Sequence, residues 1–139
     1  MSTVATRLAR RFADLLDQRE YKALGRILSP DCKYEFRDNT VHGSAGIIEV
    51  YRKNTEWGFK VFDRIEFESE VVAESKDSAR VTFTDHLYCK GEVHHHKCQQ
   101  IVSVDESKRI SHIVHVDLDG KGAALDAFFE KCGVARPMQ

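Results

Sequence analysis

The sequence predicts an α+β fold in which helices cover one face of a curved antiparallel sheet. Three observations lead to this class: the first half of the chain mixes helical and alternating patterns, the second half has the pattern of a meander of strands, and a helical pattern closes it. With 139 residues, of which 42% are hydrophobic and 31% charged, the chain suits one domain, residues 1–139, with a proper core.

Two helical patterns come first. Over residues 2–28, apolar side chains recur at helical spacing while polar ones, several of them arginines, fill the other side, which predicts an amphipathic helix. A second, short pattern begins at Tyr21 and ends at Ser29-Pro30, because the residue before a proline is pushed out of the helical region.

The period then changes. Residues 32–36 alternate between apolar and charged, which predicts a half-buried strand that closes at Asp38-Asn39. Gly43-Ser44 opens the next helix, whose buried stripe ends at Trp57, and Gly58 is expected to stop it.

The remainder predicts four strands and a last helix. The strands fall over residues 59–73, 79–89, 93–104 and 109–118, and the middle two are joined by a tight hairpin at Lys90-Gly91. Asp119-Gly120 ends the sheet, and an amphipathic helix follows that finishes at Gly133.

Charge and composition exclude several classes of function. Lys and Arg number 21 against 22 Asp and Glu, and the net charge of -1 argues against a nucleic-acid-binding protein. No apolar run approaches the roughly 20 residues that cross a bilayer, so we expect no membrane partner and a cytoplasmic location. The four cysteines form no C-x-x-C pair, so free thiols are expected. We also expect no metal and no cofactor.

Four segments spread over nearly the whole chain carry a family resemblance. They are Phe12 and Leu16, Leu28-Ser29-Pro30-Asp31-Cys32, residues 42–51, and Lys108-Arg109-Ile110-Ser111-His112-Ile113. Together they resemble the nuclear transport factor two-like superfamily, which includes the SnoaL-like polyketide cyclases and the ketosteroid isomerases. The resemblance implies a sheet that curls into a cone around the N-terminal helices, an internal ligand cavity, and a homodimer through the outer sheet face.

Compared with the isomerases of this family, the chain lacks the expected catalytic residues. Isomerase-type members use a tyrosine in the first helix, a base aspartate at the end of the first strand and a protonated acid in the penultimate strand. By local alignment these positions fall on Phe12, Phe36 and Gln99. A phenylalanine cannot abstract a proton and a neutral amide cannot supply an acid's proton, so a standard ketosteroid isomerase mechanism is disfavoured.

Six of the seven histidines lie between His86 and His115, and strand pairing divides them between two faces. A two-residue turn at Lys90-Gly91 places His86 opposite His95 and leaves His94 and His96 on the other face. A second two-residue turn, at Glu106-Ser107, would place the next strand by the pairs Ile101–His112, Gln99–Val114 and Lys97–Val116.

The family alignment puts the face that carries Gln99 and Ile101 inside the cone. On that assignment His86 or His95 is the general acid or base and Lys97 steadies developing negative charge. The ligand-binding residues would then be Phe12, Tyr34, Phe36, Tyr51, Trp57, Thr84, Gln99, Ile101, His112 and Val114. Such a pocket suits a small ligand with a carboxylate, hydroxyl or carbonyl group.

The opposite face remains an alternative, because Val81, Phe83 and Leu87 would ordinarily be core residues. In the predicted register Asp85, His96 and Asp117 form a row that could hold a divalent metal or an aspartate-oriented histidine, or could form a salt bridge at a dimer interface. If Phe83 points into the cone, this row becomes the candidate site.

Two functions stay open for this small-molecule-binding, SnoaL-like domain. One is an enzyme of the isomerase, cyclase or hydrolase type that uses histidine acid–base chemistry without a cofactor. The other is a non-catalytic ligand-binding or protein-interaction module on the same fold, since one scaffold can host many activities. The expected partner is a small organic molecule in either case.

Overall fold

The computed structural model describes residues 3–134, which form four helices and a six-stranded sheet. In chain order the elements are α1 (Val4–Asp17), α2 (Tyr21–Ile27), β1 (Leu28–Phe36), β2 (Asn39–His42), α3 (Ser44–Val61), β3 (Arg64–Ser75), β4 (Ser78–Cys89), β5 (Glu92–Val104), β6 (Ile110–Val116) and α4 (Lys121–Cys132). The predicted α+β class with a curved sheet is confirmed. Ser2, where the first predicted helix begins, lies outside the described residues.

The sheet runs in the order β2-β1-β6-β5-β4-β3. The β1–β6 pair is parallel and the other neighbours are antiparallel. The short strand β2, which the sequence pattern did not predict, pairs with the end of β1. Helix α3 also continues through Gly58 to Val61, since Gly58 is buried against Ile65 within the helix and does not end it.

The β4–β5 hairpin has the predicted register. Lys90 and Gly91 both have positive φ, 51° and 79°, as a two-residue turn between twisted strands requires. Cys89 pairs with Glu92 and His86 with His95. This turn therefore fixes which side chains of the two strands share a face.

The β5–β6 pairing is shifted by two residues from the prediction. Ile101 pairs with Val114, not with His112, because the turn spans Asp105 to Arg109 and the pairing is irregular between Ser103 and Val104, each of which adds one residue. The Asp105 carboxylate holds it by accepting from the backbone N–H of Ser107 at 2.9 Å. Between Gln99 and Ser103 the shift of two leaves the side chains on their predicted faces, because side chains alternate with a period of two. The irregularity beyond Ser103 brings Ile110 opposite Val104 and into the core.

Helices α1 and α3 cover the sheet face that carries Phe83 and Gln100. The Phe12 ring, fully buried, contacts the rings of Phe83 and Tyr51 with centroids 6.3 and 5.9 Å away. The Tyr51 hydroxyl donates a hydrogen bond to Gln100. Phe83 therefore points into the cone, and the expectation that Gln99 and Ile101 line the inside is wrong.

Helix α4 closes a second apolar cluster at the hairpin end of the sheet. Its members are Phe62, Leu87, Cys89, Phe128, Phe129 and Cys132. The helix ends at Gly133, as predicted, whose φ of 70° is the left-handed cap conformation that glycine favours. Between residues 3 and 134, no helix is both long enough and apolar enough to span a membrane.

Candidate functional site

A cavity of about 490 Å³ lies between the inner face of the sheet and helices α1, α3 and α4. This volume falls within the usual range for small-molecule sites. Its apolar wall includes Trp57, Phe62, Phe67, Phe83, Leu87 and Phe129. Its polar lining includes Asp17, Arg37, Asp85, His96, Cys98 and Gln100.

The structure brings only two of the predicted site residues to this cavity, Tyr51 and Trp57. Phe12, Tyr34 and Phe36 lie behind the wall, where Tyr34 stacks on Tyr51 and contacts Phe36. They were predicted to form the apolar wall of the pocket. In the structure they do not line it, and Phe12 and Tyr34 pack instead against Tyr51, which does.

The other predicted residues lie on the outer face of the sheet, away from the helices. They are Thr84, His86, His95, Lys97, Gln99, Ile101, His112 and Val114. Alternation along β4, β5 and β6 excludes them from the inner face, because Phe83, Gln100 and Ile113 are inside. Their assignment to the cavity is therefore corrected.

The outer histidines take part in surface hydrogen bonds. His86 bonds to His95 through their Nδ1 atoms and to Glu68 through Nε2. His112 bonds to Glu35 through Nε2. These contacts join neighbouring strands, and they leave the acid–base chemistry of the cavity to other side chains.

Asp85 is the carboxyl that the inner face presents to the cavity. Loss of solvent, together with the nearby charge of Asp17, raises its pKa from 3.8 to about 7, although His86 opposes the rise. The carboxyl is therefore divided between its protonated and ionised forms near neutral pH. It can gain or lose a proton there at little cost in free energy.

His96 is the direct cross-strand partner of Asp85 and lines the same cavity. Cross-strand partners have neighbouring side chains on one face. The predicted pairing of an aspartate with a histidine on this face is thus confirmed for Asp85 and His96.

Asp117 does not complete the row. Because Gln100 pairs with His115, the residue two positions later falls beside a different part of β5, and Asp117 accepts instead from His115 at 2.9 Å. No group of three or more His, Cys, Asp or Glu side chains in the described chain is arranged to hold a metal ion.

A second carboxyl, that of Asp17 at the end of α1, also lines the cavity. Partial burial raises its pKa to about 6, although the charge of Arg10 and a hydrogen bond with Ser69 oppose the rise. When Asp17 is ionised, its charge favours the protonated form of Asp85 across the cavity.

Gln100 anchors a buried polar network that the sequence analysis missed. The Tyr51 hydroxyl donates to Gln100 Oε1 at 2.8 Å, and Gln100 Nε2 donates to the Tyr34 hydroxyl at 3.2 Å. Desolvation raises the pKa of both tyrosines, so both hydroxyls stay neutral. The apolar pattern of Val81, Phe83 and Leu87 could have revealed this network, because it indicates that the sheet face that carries Gln100 is the buried one.

We expect Gln100→Ala to lower the free energy of unfolding by about 2–3 kcal/mol, because it removes one buried hydrogen bond from each of the two tyrosine hydroxyls. Gln99→Ala is the matched control, since Gln99 bonds to Arg80 and Thr82 on the outer face. That variant should cost less than about 1 kcal/mol. Urea denaturation of both variants measures the difference, and equal costs would contradict the inward position of Gln100.

No protein-family model matches the chain, and no curated protein matches it. Several solved structures are similar to it. A "putative polyketide cyclase" from Xanthomonas campestris pv. campestris is 12% identical, with a TM-score of 0.69 over 93% of this chain and 96% of that one. TerC, co-crystallised with polyporic acid, is 12% identical, with a TM-score of 0.70 over 92% and 99% of the two chains.

An NTF2-like protein of unknown function from Exiguobacterium sp. 255-15 is 17% identical, with a TM-score of 0.59 over 81% of this chain and 98% of its own. At these identities the likenesses establish the fold alone. The chain has the NTF2-like, SnoaL-like fold, as the sequence resemblance implied.

Proposed function

We propose that this protein binds a small, largely apolar organic molecule in the cone cavity and that Asp85 exchanges a proton with it. The observation that carries the proposal is the Asp85 carboxyl, which faces a cavity with aromatic walls and has a pKa of about 7. A carboxyl with a pKa near the working pH can both accept and donate a proton, as general acid–base catalysis requires. The reaction class is that of a cofactor-independent isomerase, cyclase or hydrolase.

The residues beside Asp85 in the cavity support its proposed role in proton exchange. Phe67, the cross-strand partner of Asp85, and Phe83 and Leu87, its neighbours on the same face of β4, place apolar surface beside the carboxyl, which favours its neutral form. His96 lies beside it across the β4–β5 pair, where it can stabilise the ionised carboxylate after proton transfer. This assignment replaces His86, His95 and Lys97, the residues that the sequence analysis favoured.

We infer the substrate class from the residues that line the cavity and from the solved structures that resemble this chain. Arg37 supplies a cation at the edge of the cavity, just after β1, for an anionic or carbonyl oxygen. Aromatic walls suit a ring system. One structural neighbour, TerC, was crystallised with polyporic acid, and another is named for polyketide cyclisation, so we propose a hydroxylated or keto-substituted ring compound.

Adjacent histidines on opposite faces give a matched test. A panel of hydroxylated aromatic and quinone compounds is screened by thermal shift, and a binder should raise the Tm by about 5–10 °C at hundredfold excess over its Kd. We expect His96→Ala to reduce this shift by at least half and His95→Ala to preserve it. Equal effects of the two substitutions would contradict the inner-face site.

The alternative function, a non-catalytic binding module on the same fold, gives a different outcome. A compound that shifts the Tm and is recovered chemically unchanged after long incubation, with no solvent deuterium exchanged into its carbon positions, would favour it. Exchange of deuterium that is lost in Asp85→Asn would favour the enzyme.

We also propose a homodimer through the outer sheet face. Ile101, Val114 and Val116 are half-buried neighbours in the centre of that face, where the register pairs Ile101 with Val114. We expect Ile101→Glu to shift the protein to monomer in sedimentation velocity, because a charge at the centre of an apolar interface is costly. Val93→Glu, at the exposed hairpin end of the same face, is the control. A wild-type monomer at high concentration would contradict this assembly.

A further inference from the structure

Two buried thiols from distant parts of the chain meet beside α4. Cys89 ends β4 and Cys132 ends α4, and they are 3% and 4% exposed. Their thiols share a side-chain hydrogen bond within the apolar cluster that contains Phe62 and Phe129. Of the other two cysteines, Cys32 is buried in the main core, and Cys98 packs against that core and lines the cavity.

A covalent bond between Cys89 and Cys132 would restrain helix α4, which forms part of the cavity wall. Leu125 and Phe129 place α4 on the cavity wall, and the Phe129 ring contacts Trp57 with centroids 5.4 Å apart. The ion pair between Lys131 and Glu92, at 3.2 Å, is exposed and holds the helix only weakly. A covalent link at Cys132 would tie the last turn of α4 to the β4–β5 hairpin.

We propose that Cys89 and Cys132 form a reversible disulfide that locks α4 against the cavity, with a small-molecule disulfide as the oxidant. One protein thiolate attacks the small disulfide and releases one of its halves as a thiolate, which leaves a mixed disulfide. The second protein thiolate attacks the mixed disulfide and releases the other half. The protein loses two electrons and two protons, and the small disulfide is reduced to two thiols.

The closed helix protects the pair from this reaction. Burial and the contact with Cys89 raise the pKa of the Cys132 thiol to about 11, although Lys90 opposes the rise. Since the thiolate is the nucleophile, oxidation must proceed through conformations in which α4 opens. The disulfide would then form while α4 is displaced from the sheet, and it would hold α4 in place after the helix returns.

The test uses the full chain, incubated in glutathione buffers of increasing oxidised fraction. Tryptic mapping should recover one cross-linked pair of peptides that contains Cys89 and Cys132, and dithiothreitol should release it. The oxidised protein should melt about 10 °C higher, from the chain entropy removed by closing a loop of this length. Hydrogen exchange in the α4 amides should slow relative to the reduced protein.

Variants separate this pair from general oxidation. Cys132→Ala and Cys89→Ala should each abolish the cross-link and the Tm increase, and either one suffices if the other does not fold. Cys32→Ala should preserve both effects. Absence of the Cys89–Cys132 peptide in strongly oxidising buffer would overturn the proposal, as would a cross-link that leaves α4 exchange unchanged.

Discussion

Asp85→Asn is expected to raise the free energy of unfolding at pH 8 by up to about 4 kcal/mol and to change it little at pH 4. The pKa of Asp85 is about 7 in the folded chain against an ordinary value of 3.8. Between these values the unfolded chain has lost a proton that the folded chain keeps. The stability of the wild type therefore falls as the pH rises through this window, and an amide, which does not ionise, removes the fall.

Denaturant unfolding of both proteins at the two pH values measures the effect. Asp38→Asn, which removes an exposed carboxyl in the turn between β1 and β2, should stay within about 0.5 kcal/mol of the wild type at either pH. The same Asp85→Asn substitution should slow any proton transfer by about 10²–10⁴-fold. An Asp85→Asn protein whose stability follows that of the wild type at both pH values would contradict the role given to Asp85.

Phe12→Ala is expected to lower the free energy of unfolding by about 3–5 kcal/mol. The ring is fully buried, contacts Tyr51 and Phe83, and joins α1 to both α3 and the sheet. A loss of this size is a large part of the stability of a small domain. Thermal and denaturant unfolding measure it.

Phe12→Leu provides the matched variant, because it keeps most of the buried volume and should cost less than about 1.5 kcal/mol. If Phe12 instead faced a ligand in an open cavity, truncation to alanine would cost little stability and would weaken binding. That pattern would contradict the buried position and support the alignment-based one.

The parts of the fold that local chemistry determines could be predicted from the sequence. Lys90-Gly91 requires a two-residue turn, and the turn sets the β4–β5 register residue by residue. Gly133 marks the end of α4 for a similar reason. The longer turn that starts at Asp105 depends on side-chain hydrogen bonds, and its length could not be predicted from residue types alone.

The choice of inner face could not be settled by alternation, because alternation separates two faces without saying which one the helices cover. Burial decides, and Val81 and Phe83 indicated the inner face correctly. The polar residues among them obscured that signal, since Asp85, His96 and Gln100 interrupt the apolar pattern where they line the cavity. The candidate site therefore lay on the face that hydrophobicity favoured and that the family alignment rejected.

The most direct test of the central claim is an NMR titration of the Asp85 carboxyl carbon, with and without a compound that shifts the Tm. We predict a midpoint at a pH of about 7 in the free protein. We also predict a displaced midpoint when the compound is bound, because an occupant of the cavity changes the solvation of this carboxyl. A midpoint near 4, the value of an ordinary aspartate, that does not respond to the compound would contradict the claim that Asp85 is the proton-exchanging group of the cavity.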